Sequence, residues 1–290
     1  MSRYDRRRVN GPSSYVPVYD NNASTSNASG STPTLTTSAQ RPDGRAYTQL
    51  RPIFLQTNLV PSASGSSYVE IGDLKLACSV FGPRQVKGRQ YSGKAELNVE
   101  VKFAPFSSRR RRQPGKALLP SLRLDLLPKA SLDIHIMVLQ TDGLEESCIA
   151  AACMAASTAL ASAGIEMYGL VVGTVALVPA QSSGEQRVLL DPSSADIGLV
   201  TGMKTSTRVL LCGMPALASV TCLNVSAGST QLSSAKKDAG SNAVLTAGLD
   251  ADTLDHALEA ANAGLVDIHK VVAQALANDF QRRTAVSTSS

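Results

Sequence analysis

The stretch that decides the fold is residues 132–168, LDIHIMVLQTDGLEESCIAAACMAASTALASAGIEMY. In residues 132–138, Leu, Ile, Ile and Val alternate with Asp, His and Met. This period of two is expected of a strand with one buried face. Asp142 and Gly143 then interrupt the pattern, as turn residues do. The segment therefore predicts a strand that ends in a sharp turn.

A long helix is predicted directly after this turn. Glu145 and Glu146 stand where the dipole of a helix start favours acidic side chains. Residues 148–163 are almost entirely Ala, Ser, Cys, Met, Ile and Leu, and a helix that is apolar all round is a buried one. Gly164 is a suitable residue to end it, and residues 165–178 predict the next strand.

The start of this helix is a candidate anion site, because the first free N–H groups of a helix point at whatever precedes it. The side chains at the turn decide between an anion site and a purely structural unit. Glu145 and Glu146 neutralise the helix start and repel phosphate. The sequence therefore favours a structural role here.

Short strands alternate with turns on both sides of the central stretch. Before it, we expect antiparallel strands over residues 54–59, 66–71 and 75–81, ending at Gly82-Pro83, and a further strand over 95–103. Strands 75–81 and 95–103 are predicted to have unpaired edges. The crossover 113–127 is short, contains Pro120 and has room for about two helical turns. After the centre, strands are predicted over residues 187–190, 197–201, 206–212 and 219–224.

The last predicted element is a long helix over residues 249–283. Its apolar residues recur at spacings of three and four, which gives one stripe for packing against a sheet. The residues of this stripe are Leu254, Leu258, Ala261, Leu265, Ile268, Val272 and Leu276.

Composition limits the class of protein. Residues 21–40 are Ser-, Thr- and Asn-rich with few apolar side chains, so 1–40 are predicted to be a disordered tail, followed by one domain over 41–283 and a short tail over 284–290. No apolar run is long enough to cross a membrane. The five cysteines show no CxxC spacing, which favours reduced thiols, and three scattered histidines give a metal site no support.

Charged residues are concentrated in two places. Residues 84–129 contain twelve Lys and Arg against three acidic residues, in a chain whose net charge is +5. The densest part, Arg109, Arg110, Arg111 and Arg112, predicts contact with an RNA backbone, with a solvated or subunit-facing loop as the alternative. Near the start of the domain, Arg41, Arg45 and Arg51 surround Asp43, which predicts a local ion-pair cluster. Asp191 and Asp196 are interpreted as turn residues.

Several motifs together resemble the RNase PH-like family. They are RPDGR at 41–45, LRP at 50–52, a Gly-Pro-Arg turn at 82–84, VLQTDG at 138–143 and AGIEMY at 163–168. The resemblance covers about 41–283 and is greatest to the non-catalytic, Mtr-type ring subunits of the eukaryotic RNA exosome. It implies an α/β fold of the RNase PH (ribosomal protein S5 domain 2-like) kind, with mixed sheets and packed helices.

The resemblance also implies a function. Active members cleave RNA 3′ ends with phosphate, which a hydroxyl residue and often Arg hold after the LQ-x-D-G aspartate. Asp142 matches that aspartate, but Glu145 and Glu146 stand at the other two positions, so the phosphate site is expected to be degenerate. The implied role is a ring subunit without cofactor or metal. Its implied partners are other RNase PH-like subunits, cap subunits and single-stranded RNA, in the nucleus, nucleolus and cytoplasm.

Two other functions remain open at this point. The first is an active, phosphate-dependent 3′-to-5′ exoribonuclease, since Asp142 is present. The second is a free-standing domain that binds a small ligand, which is disfavoured because the sequence contains no ligand-pocket signature.

Overall fold

The computed structural model describes residues 41, 43–85, 93–107, 118–179, 188–201, 206–228 and 251–289. A five-stranded sheet contains β1 (Ile53–Thr57), β2 (Gly65–Ile71), β3 (Leu74–Gln85), β4 (Glu96–Phe103) and β5 (Ala130–Gln140), in the order β1-β2-β3-β5-β4. Neighbouring strands are antiparallel except for β4 and β5, which are parallel. The mixed sheet agrees with the fold class predicted from the sequence.

A second, antiparallel sheet of four strands has the order β7-β6-β8-β9. Its strands are β6 (Val172–Pro179), β7 (Leu189–Leu190), β8 (Ser206–Met214) and β9 (Ser219–Gly228). The helices are α1 (Glu145–Ser162), α2 (Ser194–Thr201) and α3 (Ala251–Ser289).

Helix α1 lies between the two sheets. On one side Ser67 of β2 donates its hydroxyl to the Ala155 carbonyl at 2.7 Å. On the other side Gly173 of β6 lies so close that a Cβ there would come within 2.7 Å of the Ala150 Cα. Because both faces of α1 meet a sheet, small side chains are needed all round it. The predicted burial of this helix is confirmed, since nearly every residue from Glu146 to Leu160 is buried.

Helix α3 covers the opposite face of the second sheet. Thr174, the residue next to Gly173, donates its hydroxyl to the Ala261 carbonyl of α3 at 3.2 Å. The predicted apolar stripe is confirmed at its centre, where Ala261, Leu265, Ile268 and Val272 are buried. The helix continues to Ser289, through most of the segment that the sequence assigned to a C-terminal tail.

Four predictions about strands are wrong. The strand expected from residue 165 begins at Val172, because Gly164 to Leu170 lead the chain from α1 to the second sheet. Gly82-Pro83 does not end β3, which passes through a cis peptide bond there and pairs with β5 again at Arg84. Residues 197–201 belong to α2.

The fourth correction concerns sheet edges. Residues 75–81 lie in β3, which pairs with β2 on one side and β5 on the other, so they form no edge. Residues 96–103 do form an edge strand, β4. The crossover before β5 contains two single 3-10 turns, Leu119–Ser121 and Leu124–Leu126, in its described part. Pro120 lies in the first of them, where a proline costs no helical hydrogen bond.

Candidate functional site at the start of helix α1

A buried arginine joins three parts of the chain at the start of α1. The Arg51 guanidinium donates to the Asp191 carboxylate from Nε at 2.8 Å and from Nη2 at 2.6 Å. Its third nitrogen, Nη1, donates to the Asp142 carboxylate at 2.8 Å. The Arg51 backbone N–H adds a bond of 2.9 Å to Asp191. Arg51 therefore ties the segment before β1 to the turn before α1 and to the residue after β7.

The electrostatics of this cluster favour the charged guanidinium. Burial alone would lower the pKa of Arg51, but hydrogen bonds and charges from Asp191 and Asp142 raise that pKa above its ordinary value. Two carboxylates facing one buried arginine form a charge-assisted, partly bidentate network. All three charges are thus used within the protein, and this arginine has little capacity left for an outside anion.

Asp142 has the structural role that the sequence allowed for it. Its Oδ1 accepts the Leu144 backbone N–H at 3.3 Å, while its other oxygen accepts from Arg51. The Asp142 side chain is only 1% exposed. The carboxylate thus fixes the turn that leads into α1.

Glu146 lies at the same helix start and points to the second sheet. Its Oε2 accepts a hydrogen bond from the Arg208 guanidinium of β8 at 3.2 Å, and its Oε1 accepts one from the Ser226 hydroxyl of β9 at 2.6 Å. Glu146 is 6% exposed, whereas Glu145 is half-buried. The first turn of α1 therefore carries a carboxylate that is bound to an arginine and a hydroxyl of the second sheet.

The thiol of Cys148, close to this helix start, has a shifted pKa. Burial raises the pKa of Cys148 to about 12, and the nearby carboxylates of Asp142, Glu145 and Glu146 act in the same direction. Cysteines near a helix start or next to basic residues usually have a lowered pKa. At Cys148 the pKa is raised instead, chiefly because the thiol is buried and to a smaller extent because carboxylates lie nearby.

A small internal cavity of about 20 Å³ lies beneath the arginine network. It is lined by Arg51, Asp191, Ser147 and Thr174, together with apolar side chains of β1, β2, α1 and β6. The buried Ser147 hydroxyl has no hydrogen-bond partner in the described part of the chain. The volume suits about one water molecule and is too small for a nucleotide or a phosphate.

The cluster predicted around Asp43 is only partly correct. Arg45 does contact the Asp43 carboxylate, at 3.2 Å. Arg41 instead donates to the backbone carbonyls of Tyr47 and Leu190, and its guanidinium lies 3.7 Å from the Asp196 carboxylate. Burial lowers the pKa of Arg41, and the charge of Asp196 offsets part of that effect.

Sequence reasoning missed the partners of these arginines. Asp191, Asp196 and Arg208 were interpreted as turn or strand residues, yet each pairs with a charge far away in the chain. Asp191 has a positive φ of 47°, a conformation that Asp adopts more often than most residues other than Gly, but the Asp-Pro pair in the sequence does not predict it. Ser226 and Arg208 gave no signal, because only the second sheet brings them to α1.

Three further expectations concern RNA contact, metal binding and membrane crossing. Arg109, Arg110, Arg111 and Arg112 lie outside the described residues, so their contact with RNA stays a prediction. Among the residues that the structure describes, no group of three or more His, Cys, Asp and Glu side chains could hold a metal ion. No described helix is long and apolar enough to cross a membrane.

Comparisons with known proteins agree with the fold. Residues 49–166 match the family model of the 3′ exoribonuclease family, domain 1 (RNase PH). The chain is 36% identical over 181 residues to the human exosome complex component MTR3, covering 53% of this chain and 64% of that protein. It is 34% identical over 192 residues to the exosome complex component mtr3 of Schizosaccharomyces pombe, covering 60% of this chain and 67% of that protein.

A solved structure supports the fold independently. The crystal structure of rice Rrp46 superposes with a TM-score of 0.59 at 20% identity, covering 81% of this chain and all of the rice chain. The protein belongs to the RNase PH family of 3′ exoribonucleases. Within that family its resemblance to the Mtr3-type exosome components, predicted from the sequence, is confirmed. The match spans about two thirds of the length of these relatives.

Proposed function

We propose that this protein is a non-catalytic ring subunit of an RNA exosome. It assembles with other RNase PH-like subunits and with cap subunits, and it helps to guide single-stranded RNA through the ring for 3′-to-5′ processing and degradation. The Mtr3-type relatives, which are exosome components, support this role. The proposed location is the nucleus and nucleolus, and also the cytoplasm.

One observation carries the non-catalytic part of the proposal. Phosphorolysis needs a phosphate held beside the reacting bond, and active family members use the start of α1 for it. Here Glu146 lies in the first turn of this helix and accepts hydrogen bonds from Arg208 and Ser226. The arginine nearest to Asp142 is also bound, to two carboxylates. Each of these cations already faces a carboxylate, and phosphate would be repelled by Glu146 and Asp142.

The alternative is an active, phosphate-dependent exoribonuclease. It is favoured by one observation, the retention of Asp142 at the family's aspartate position. The buried bonds of Asp142 to Arg51 and to the Leu144 N–H argue against it, because they give this carboxylate a structural task.

An assay of the purified chain distinguishes a non-catalytic subunit from an active exoribonuclease. We expect no release of nucleoside diphosphates from single-stranded RNA in the presence of phosphate. Turnover that disappears in the Asp142→Asn variant, while Asp133→Asn on the exposed side of β5 stays active, would establish the exoribonuclease instead. A matched pair, Glu146→Gln and Glu145→Gln, shows which carboxylate excludes phosphate. Only Glu146→Gln is expected to gain phosphate binding by calorimetry.

The RNA path is tested in the assembled complex. Changing Arg109, Arg110, Arg111 and Arg112 to Ser should weaken RNA binding at every sequence. The salt dependence of log K should fall by a few units, about one for each RNA phosphate that the arginines neutralise. An unchanged salt slope would mean that this loop faces solvent or another subunit.

Assembly itself gives a separate test. We expect the isolated chain to be poorly stable or to aggregate, and co-expression with a related RNase PH-like subunit to yield a soluble heteromer. The reason is the large apolar interface that obligate subunits share, typically more than about 2,000 Å². Size-exclusion chromatography with light scattering decides the question. A cooperatively folding monomer with no affinity for such subunits would contradict the ring assignment.

A further inference from the structure

An open groove runs between β1 and the C-terminal half of α3, far along the chain from the start of α1. Its volume is about 390 Å³, in the range of grooves that bind small ligands and short peptides. One wall is formed by residues 54–57 of β1. The other wall is formed by Ala275, Asn278, Asp279 and Arg282 of α3.

The strand wall of this groove has a free edge. β1 is the first strand of its sheet and pairs with β2 alone among the described strands. The Asn58 N–H donates to the Ser66 carbonyl at 2.8 Å, and register pairs in an antiparallel ladder alternate between bonded and non-bonded. Phe54 and Gln56 therefore bond to β2, whereas the N–H and C=O groups of Ile53, Leu55 and Thr57 point outwards. Such a row of unpaired N–H and C=O groups can form hydrogen bonds with one more strand.

The helix wall supplies an unbalanced positive charge. The Asp279 carboxylate is neutralised by Arg283, whose guanidinium lies 2.7 Å away. Arg282 is exposed and has no ion-pair partner in the part of the chain that the structure describes. β1 itself carries no charged side chain. The groove therefore combines an uncharged wall that includes Phe54 and Leu55, a free strand edge and the exposed Arg282 guanidinium.

The apolar part of the groove is also exposed. Phe54 is 55% exposed and makes an edge-to-face contact with Tyr68, with ring centroids 6.3 Å apart. Leu55 of β1 and Ala275 of α3 both line the groove. An exposed large apolar side chain beside a free strand edge is a liability for a solitary chain, and a partner strand would cover both.

We propose that this groove binds an extended, acidic segment of a partner protein, which adds to β1 as a further strand. Backbone hydrogen bonds to Ile53, Leu55 and Thr57 would give affinity, as in other cases of strand addition. Leu55 and Ala275 select an apolar side chain, and Arg282 selects a carboxylate. With about 3.3 Å per residue, the five residues of β1 match a segment of four to six residues. The inference does not depend on the state of the phosphate site.

The experiment begins with a phage-displayed library of random octapeptides, selected on the immobilised full chain or on its complex with a co-expressed subunit. The most enriched octapeptide is then synthesised with a fluorescent label, and its affinity is measured by anisotropy. We expect an Asp or Glu near one end and alternating apolar residues. Arg282→Glu should weaken binding at least tenfold, and a peptide with Lys in place of its acid should regain affinity for that variant.

Matched variants and a backbone measurement complete the test. Lys270→Glu makes the same charge reversal on α3 outside the groove and should leave affinity unchanged. Ala275→Glu, which narrows the groove and repels an acid, should weaken binding like Arg282→Glu. Hydrogen exchange should slow at the amides of Ile53, Leu55 and Thr57 when the peptide binds, with little change at Phe54 and Gln56.

Three results would overturn the proposal. The first is a library without any enriched peptide. The second is a set of enriched peptides that bind Arg282→Glu as well as they bind the unchanged chain. The third is a homodimer, detected by light scattering, that Arg282→Glu dissociates; the occupant of the groove would then be a second copy of this chain. None of these results bears on phosphorolysis, so the two proposals fail independently.

Discussion

Arg51 and Arg208 each bring a guanidinium to a carboxylate at the start of α1, but the two pairs differ in burial and in bonding. Arg51 is 8% exposed and holds two carboxylates, those of Asp142 and Asp191. Arg208 is 26% exposed and holds one, that of Glu146. The first cluster joins three chain segments in the interior. The second joins the first turn of α1 to two strands of the second sheet.

The two clusters contribute differently to the start of α1. The Arg51 cluster fixes the turn before the helix, through the bonds of Asp142 to Arg51 and to the Leu144 N–H. The Glu146 cluster joins the first turn of the helix to the second sheet and places a carboxylate where the free N–H groups of a helix favour an anion. Asp142, which matches the family's aspartate position, is thus tied into the fold in this protein.

We expect the largest loss of stability when Arg51 is replaced. Arg51→Met leaves two buried carboxylates without their cation, so the free energy of unfolding should fall by about 3–5 kcal/mol. Urea unfolding followed by circular dichroism measures this. Lys270→Met, at an exposed ion pair, should cost less than about 1 kcal/mol. Equal losses for the two variants would mean that the Arg51 cluster is not a structural centre.

Arg208 should matter less than Arg51. Arg208→Met leaves Glu146 with its hydrogen bond to Ser226, and the pair is less buried than that of Arg51 because Arg208 is 26% exposed. We expect a loss of about 1–3 kcal/mol in the same unfolding assay, the cost of one buried group left unsatisfied. A loss as large as that of Arg51→Met would erase the distinction between the two clusters.

Glu146→Gln should have the smallest effect on stability. The amide oxygen can accept from Arg208 and the amide N–H can donate to the Ser226 hydroxyl, so the pair loses mainly its charge. The free energy of unfolding should change by less than about 1.5 kcal/mol. Because the variant is expected to stay folded, its gain of phosphate binding can be measured directly. A severely destabilised variant would assign Glu146 to the structural core.

The rate at which the Cys148 thiol reacts provides a further test of the start of α1. With a pKa of about 12, Cys148 is almost fully protonated at pH 8. Iodoacetamide should therefore modify it at least a hundredfold more slowly than a small-molecule thiol, as followed by mass spectrometry, and urea should abolish the difference. Rapid modification in the folded protein would contradict the burial of this thiol among carboxylates at the start of α1.

The sequence predicted the turn and the helix start of the candidate site, but not the partners of their carboxylates. Asp142, Glu145 and Glu146 are neighbours in the chain, so the turn and the helix start could be placed from residue types alone. The partners of Asp142 and Glu146 could not, because Arg51 and Arg208 lie 91 and 62 positions away. An aspartate after a short strand, such as Asp191, looks like any other turn residue until a sheet carries it to an arginine.

The sequence by itself determined the strand–turn–helix centre, the buried character of α1 and the apolar stripe of α3, because each depends on the spacing of neighbouring side chains. It also determined the family, through short motifs in a fixed order. Only the tertiary structure decided which strands have free edges and which arginine faces which carboxylate. Pairing across a sheet and packing of a helix between two sheets join residues that are remote in the chain, and no local pattern records those contacts.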